Sequence, residues 1–207
     1  ELTLLRLFAG QLSGLLLRHQ QQQQQEALTQ QLAAAHCKLQ AQNHCDGLTG
    51  LANLSRLLQD KQQLFEQAFL CQQALSALML DIDQFAAYNN HAGHLAGDDC
   101  LQRIAQLLQA ELLTRPGLAV RTKGATLLLL PQHDAAQAAA VAEQLRLAVA
   151  ALQLPHPASR VSSFVSVSIG CAPLALRRHD DIDDLIGEAA HALRLAKEQR
   201  RNRCVSA

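Results

Sequence analysis

Hydrophobic positions along this chain change period several times, and each change marks an element. Leu5, Phe8, Leu12 and Leu15 recur at spacings of three and four, the apolar stripe of a helix. An unbroken glutamine tract, Gln20 to Gln25, follows, and the stripe resumes at Leu28, Leu32, Ala35 and Leu39. Glutamine is a good helix former, so the tract either bridges two helical stretches or forms a low-complexity hinge. The stripes are one residue out of phase across it, so a continuous coiled coil needs a local adjustment. Residues 1–45 therefore read as a long helix. It either packs on its own domain or, as we prefer, pairs in a parallel homodimer that carries a signal from upstream. So long a run without a turn signal is hard to fold back on a small domain. Residues 1–18 also suit the last helix of a preceding sensory domain, and an opening on Glu1 rather than Met fits a piece of a longer protein.

From residue 46 the periods are those of a mixed domain. Residues 54–73 are amphipathic, with Leu57, Leu58, Leu64, Phe65 and Phe69 as core candidates. Residues 74–82 read as a first strand and 98–113 as a helix with Leu101, Ile104, Ala105, Leu107 and Leu108 inward. Arg115-Pro116-Gly117 makes a turn. Residues 119–122 and 126–130 read as a hairpin around Lys123-Gly124, stopped by Pro131. An Ala-rich helix spans 134–152, and an alternating strand lies within 161–172. The last helix, 181–200, is acidic at its start and basic at its end, as the helix dipole favours.

Composition narrows the function classes. Of 207 residues, 49% are hydrophobic, enough for a real core. Formal net charge is zero, which argues against electrostatically driven nucleic-acid or membrane binding. Aromatics are 3% and Trp is absent, so there is no stacking platform for single strands. Cys37, Cys45, Cys71, Cys100, Cys171 and Cys204 are scattered without a C-x-x-C pair, which fits reduced thiols in cytoplasm. The longest apolar candidate for a signal or span, Leu2 to Leu17, is interrupted by Arg6, Gln11 and Gly14.

The chemistry concentrates in residues 78–98. An apolar run ends in Asp81-Ile82-Asp83, so a buried strand delivers two acids at its carboxyl end. Two carboxylates with the Ile82 main chain between them suit a hard divalent cation such as Mg2+, which takes oxygen ligands and bridges to phosphates. His91, His94 and Cys100 suggest zinc only weakly, since a structural site needs four convergent ligands. The full string resembles the GGDEF domain of the diguanylate cyclase family, whose pattern is D-(I/L)-D-x-F-K-x-(I/V)-N-D-x-x-G-H-x-x-G-D. Asp81, Asp83, Phe85, Asn89, Gly93, His94, Gly97 and Asp98 match it, while Ala86 and Asn90 replace the lysine and the second acid. The family opening, D-x-L-T-G-L-x-N-R, matches at Asp46, Leu48, Thr49, Gly50, Leu51 and Asn53, with Leu54 in place of the arginine. The resemblance covers about Asp46 to Cys204. It implies an α+β, nucleotidyl-cyclase-type ferredoxin-like fold, with an antiparallel sheet and helices on one side and at its ends.

The hairpin departs from the family. Where the resemblance calls for R-(Y/F/L)-G-G-(D/E)-E-F, this chain has Arg121, Thr122, Lys123, Gly124, Ala125, Thr126 and Leu127. Cyclisation of two GTP molecules to cyclic di-GMP joins a 3′-hydroxyl to an α-phosphorus and needs divalent metal. Ala125 removes the second carboxylate of the family's metal site. Loss of an acid–base group alone costs about 10²- to 10⁴-fold. Lys123 either clashes with the base or offers a phosphate a cation in place of metal. By resemblance Asn89 and Asp98 read guanine beside Phe85, and Lys197 and Arg201 hold phosphate. The last two match A-K-x-x-G-R-N, with Arg200 at the glycine. The family's inhibitory R-x-x-D has Thr114 and Gly117 in its place, which argues against product feedback there. The reading is a catalytically inactive GGDEF-type module, residues 46–207, that still binds GTP and works as a regulatory dimer, with or without another signalling protein. The alternatives are an active, atypical cyclase and an interaction scaffold that binds no nucleotide.

Overall fold

The sheet is organised around β1 (Leu75–Ile82), whose residues are buried except for Asp81, which is partly so. A computed structural model describes residues 44–175 and 178–207, together with Gln22 and Gln25, which are helical. The N-terminal stripes, the tract and the parallel dimer otherwise lie outside the described residues. Helix α1 (Leu54–Leu70) starts where Asn53 accepts the Arg56 N–H, a side-chain N-cap. After β1 come α2 (Phe85–Ala92) and α3 (His94–Leu113), separated by Gly93 at φ +88°. Spacing alone starts this helix at 98 and predicts no element at 85–92. Strands β2 (Leu118–Arg121) and β3 (Thr126–Pro131) form the expected hairpin. Helix α4 (Ala135–Ala151) opens with a reciprocal capping box between Asp134 and Gln137. Strand β4 (Val167–Pro173), helix α5 (Ile182–Glu198) and strand β5 (Cys204–Ser206) complete the domain.

Strand order among the described residues is β2-β3-β1-β4-β5. Strands β2, β3, β1 and β4 pair antiparallel, but β5 joins β4 in parallel and has no counterpart in the sequence pattern, because three residues carry too little of it. The early part of the expected strand at 161–172 is also corrected. Val165 N–H donates to Leu154 O at 2.8 Å, so residues 163–165 pair with the loop after α4 instead of with β1.

Helices cover both faces, not one side and the ends. Leu78, Leu80, Leu128, Leu130 and Ile169 meet α3 and α4. On the opposite face Leu75, Ala77, Met79, Leu127 and Leu129 meet α1 and α5. This is period-2 alternation with both sides buried, hence the near-continuous apolar strands. Gly170 lets α5 lie directly on β4: a Cβ there would sit 2.1 Å from Leu193 N and 2.2 Å from Ala189 O.

Beyond α5 the chain reverses through Arg200, Arg201 and Asn202, at φ +79°, +62° and +46°. Arg200 stands at the family's glycine, and a side chain in the left-handed region costs about 1 kcal/mol. Arg200→Gly should therefore raise the thermal midpoint by about 2–4 °C in a melting experiment. An unchanged midpoint would mean that the turn is not strained.

Candidate nucleotide site

The site lies where β1 ends, and neighbouring strands set its composition. The β1–β3 register pairs Leu80 with Thr126 and Met79 with Leu127, so one step further Ala125 stands across from Asp81. The family's second carboxylate would come from that position, and a methyl group is there, packed against the α1/α5 core. The hairpin tip is closed locally: Thr122 Oγ1 donates to Ala125 O at 2.8 Å and Thr122 N–H to the same carbonyl at 2.9 Å. Lys123 and Gly124 are exposed at the tip, and a Cβ on Gly124 would meet nothing within 4 Å. Leu127, the stand-in for phenylalanine, is core.

The two acids of the D-x-D string have different environments. Asp81 is half-exposed and forms an ion pair with Lys197 near the end of α5. Asp83 is 1% exposed. Its Oδ1 accepts from Ser168 Oγ at 2.7 Å, and its Oδ2 from Ser166 Oγ at 2.8 Å and Asn202 N–H at 3.0 Å. Arg146 of α4 in turn donates to the Asn202 side chain at 2.9 Å. Asp83 therefore ties β1 to β4 and to the left-handed turn, and both of its oxygens are engaged. Expecting it to hold metal overlooked these partners. The alternation Ser166-Val167-Ser168 places two hydroxyls on one strand face, the one signal that could have revealed them.

A divalent ion of the Mg2+ type takes oxygen ligands in near-octahedral array, with one or two carboxylates from the protein and waters or phosphates for the rest. Here Asp83 is engaged, Ala125 has no donor and Asp81 already holds an ammonium. No group of three or more His, Cys, Asp or Glu side chains converges on a metal position among the described residues. The residues present do not fit the ion. Zinc fares no better: Cys100 is fully buried, burial pushes its thiol up to about 11, and His91 and His94 are exposed.

On the α3 side, Asn89 lies across Gly97. A Cβ on Gly97 would fall 1.9 Å from Asn89 Oδ1, so glycine at 97 is what lets Asn89 adopt this position. That oxygen is buried and has no hydrogen-bond partner among the described residues. Buried polar atoms are nearly always paired, so an unpaired one beside the motif marks Asn89 as a candidate binding residue. Asp98 follows directly and is partly exposed. Phe85 is half-buried against the core and stacks on Tyr88 at a 6.3 Å centroid separation, so it fixes α2. A narrow cleft between β1 and α3 is lined by Thr49, Asp81, Leu101, Ile104, Arg121 and Thr126. Thr49 is fixed there by Asp46, which accepts its N–H at 2.9 Å, and residue 52 hydrogen-bonds β2 on both sides of its peptide. This explains the opening motif physically: it docks the start of the domain on the sheet's edge strand.

A two-faced α+β domain with an acid-ended central strand beside a hairpin tip is thus defined, and comparison says which. Residues 43–203 match the diguanylate cyclase GGDEF domain, and the chain belongs to that family. Diguanylate cyclase VdcA of Vibrio cholerae is 33% identical over 178 residues, 85% of this chain and 49% of its own. The chain spans about half the length of the curated relatives it matches. The coiled coil and GGDEF domain of DgcB from Caulobacter crescentus, solved in complex with c-di-GMP, superposes with a TM-score of 0.71 at 25% identity, covering 87% of this chain and 94% of that one. Diguanylate cyclase SiaD from Pseudomonas aeruginosa, solved with its activator SiaC, gives 0.69 at 28% identity, covering 100% and 76%. Among the described residues no helix is long and apolar enough to cross a membrane.

Proposed function

We propose that this chain is a GGDEF module of cyclic di-GMP signalling that binds GTP without converting it. Residues 1–45 would act as its signalling and dimerisation helix in the cytoplasm, and residues 46–207 as the nucleotide-responsive domain. The observation that carries this reading is Ala125 across the register from Asp81. Cyclisation needs charge neutralised at the α-phosphorus and a proton removed from the attacking hydroxyl, and a methyl group does neither. Family membership supports the nucleotide class, since the relatives are named diguanylate cyclases. Asn89 and Asp98 keep the acceptors that suit guanine's N–H edge. A partner protein is in keeping with SiaD, which was solved bound to an activator.

The test is calorimetric titration of GTP into the protein, with chromatography of the mixture for cyclic di-GMP. Saturable binding without product is expected, together with a loss of about tenfold or more in affinity for Asn89→Ala and for Asp98→Ala. Steady product formation would overturn the inactive assignment. Absence of binding would leave the scaffold reading.

A further inference from the structure

Resting on the reading that guanine nucleotide binds here, we infer that this site takes it without a divalent cation. The chain's own ammonium and guanidinium groups would receive the phosphates. Four placements converge on this. Lys197 already neutralises Asp81, the one acid of the D-x-D string that is not engaged in the core. Asp83 is buried, and both of its oxygens are engaged by three hydrogen-bond donors. The hairpin supplies Lys123 at its exposed tip in place of a neutral residue, and Ala125 and Thr126 in place of two acids. Arg121 lines the same cleft as Asp81, and Arg201 sits in the turn pinned by Asp83.

Charge decides the sign of the effect. In a site with carboxylates at 125 and 126, a polyphosphate would be repelled unless a metal intervened. Here one positive charge is gained and two negative charges are absent, so the surface around Asp81 is attractive to phosphate by itself. Lys197 can serve both states. Its pair with Asp81 is partly solvent-exposed, at 34% and 21% of the two side chains, and exposed pairs are weak enough to be exchanged for a phosphate oxygen. Point-charge recognition of phosphate by lysine, with a planar arginine fork nearby, is sufficient chemistry for binding. It supplies no metal-activated hydroxyl, so binding and turnover separate.

The experiment is titration of GTP into the full chain in excess EDTA and again in millimolar Mg2+, with the wild type, Lys123→Ala and Lys197→Met. Lys123 is at an exposed tip, so its variant reports on binding without disturbing the fold. Wild-type affinity in EDTA is expected within about threefold of that in Mg2+, and each variant to bind about tenfold more weakly in EDTA, with a steep salt dependence lost alongside. Binding seen only with Mg2+ would overturn the inference while leaving the GTP-binding reading intact. So would EDTA-insensitive binding that neither variant weakens, since the phosphates would then be held elsewhere. No binding under either condition would remove both.

Discussion

Replacing Asp83 by alanine is expected to lower the unfolding free energy by about 3–5 kcal/mol, measured as a shift in urea midpoint at constant slope. The carboxylate is buried and is the shared acceptor for Ser166, Ser168 and the Asn202 N–H. Alanine would leave these donors without their shared acceptor, and each stranded donor costs about 1–3 kcal/mol before relaxation. The serine hydroxyls can rotate toward other acceptors, whereas the Asn202 backbone N–H cannot. The turn at 200–202, already in left-handed backbone, should loosen with it. Because that turn follows Lys197 and contains Arg201, Asp83→Asn should also weaken GTP binding, although asparagine keeps the shape and most of the packing. A change under 0.5 kcal/mol for the alanine variant would mean that Asp83 behaves as a surface acid, contrary to its burial.

The second large effect belongs to glycine and comes with its own control. Gly170→Ala should destabilise by about 3 kcal/mol or more, since its new methyl would strike the α5 backbone at Leu193 N and Ala189 O. Backbone cannot rotate out of the way as a side chain does, so α5 must lift from β4 or the sheet must bend. Gly187→Ala, on the exposed side of the same helix, should gain about 0.5–1 kcal/mol. A methyl there meets nothing within 4 Å and removes a helix-interior glycine. Thermal or urea denaturation of the two variants side by side reads opposite signs from one chemical change. Equal effects would show that glycine's backbone entropy, rather than the α5–β4 approach, governs both positions. The consequence reaches the site, because α5 carries Lys197 to Asp81.

Much of this molecule was legible in order along the chain. The apolar run into Asp81-Ile82-Asp83, the hairpin around Lys123-Gly124 and the capped amphipathic helices are local patterns, set by periodicity, turn chemistry and caps within a few residues. The two motifs identified the family before any contact was known, and the family match agrees with them. The absence of acids at Ala125 and Thr126 is likewise read directly off the chain. What tertiary structure decided is everything that depends on residues far apart becoming neighbours. The two acids of one motif part company because Asp83 meets Ser166, Ser168 and Asn202 from β4 and the C-terminal turn, while Asp81 meets Lys197 of α5, 116 residues away. Helices lie on both faces of the sheet because the inner strands are apolar on both sides, and Gly170 permits the close approach of α5 to β4. A three-residue strand such as β5 has no period of its own and forms because β4 offers a free edge for its backbone groups to pair with. Spacing tells which residues share an element, but only packing tells which lone pairs are left for a ligand.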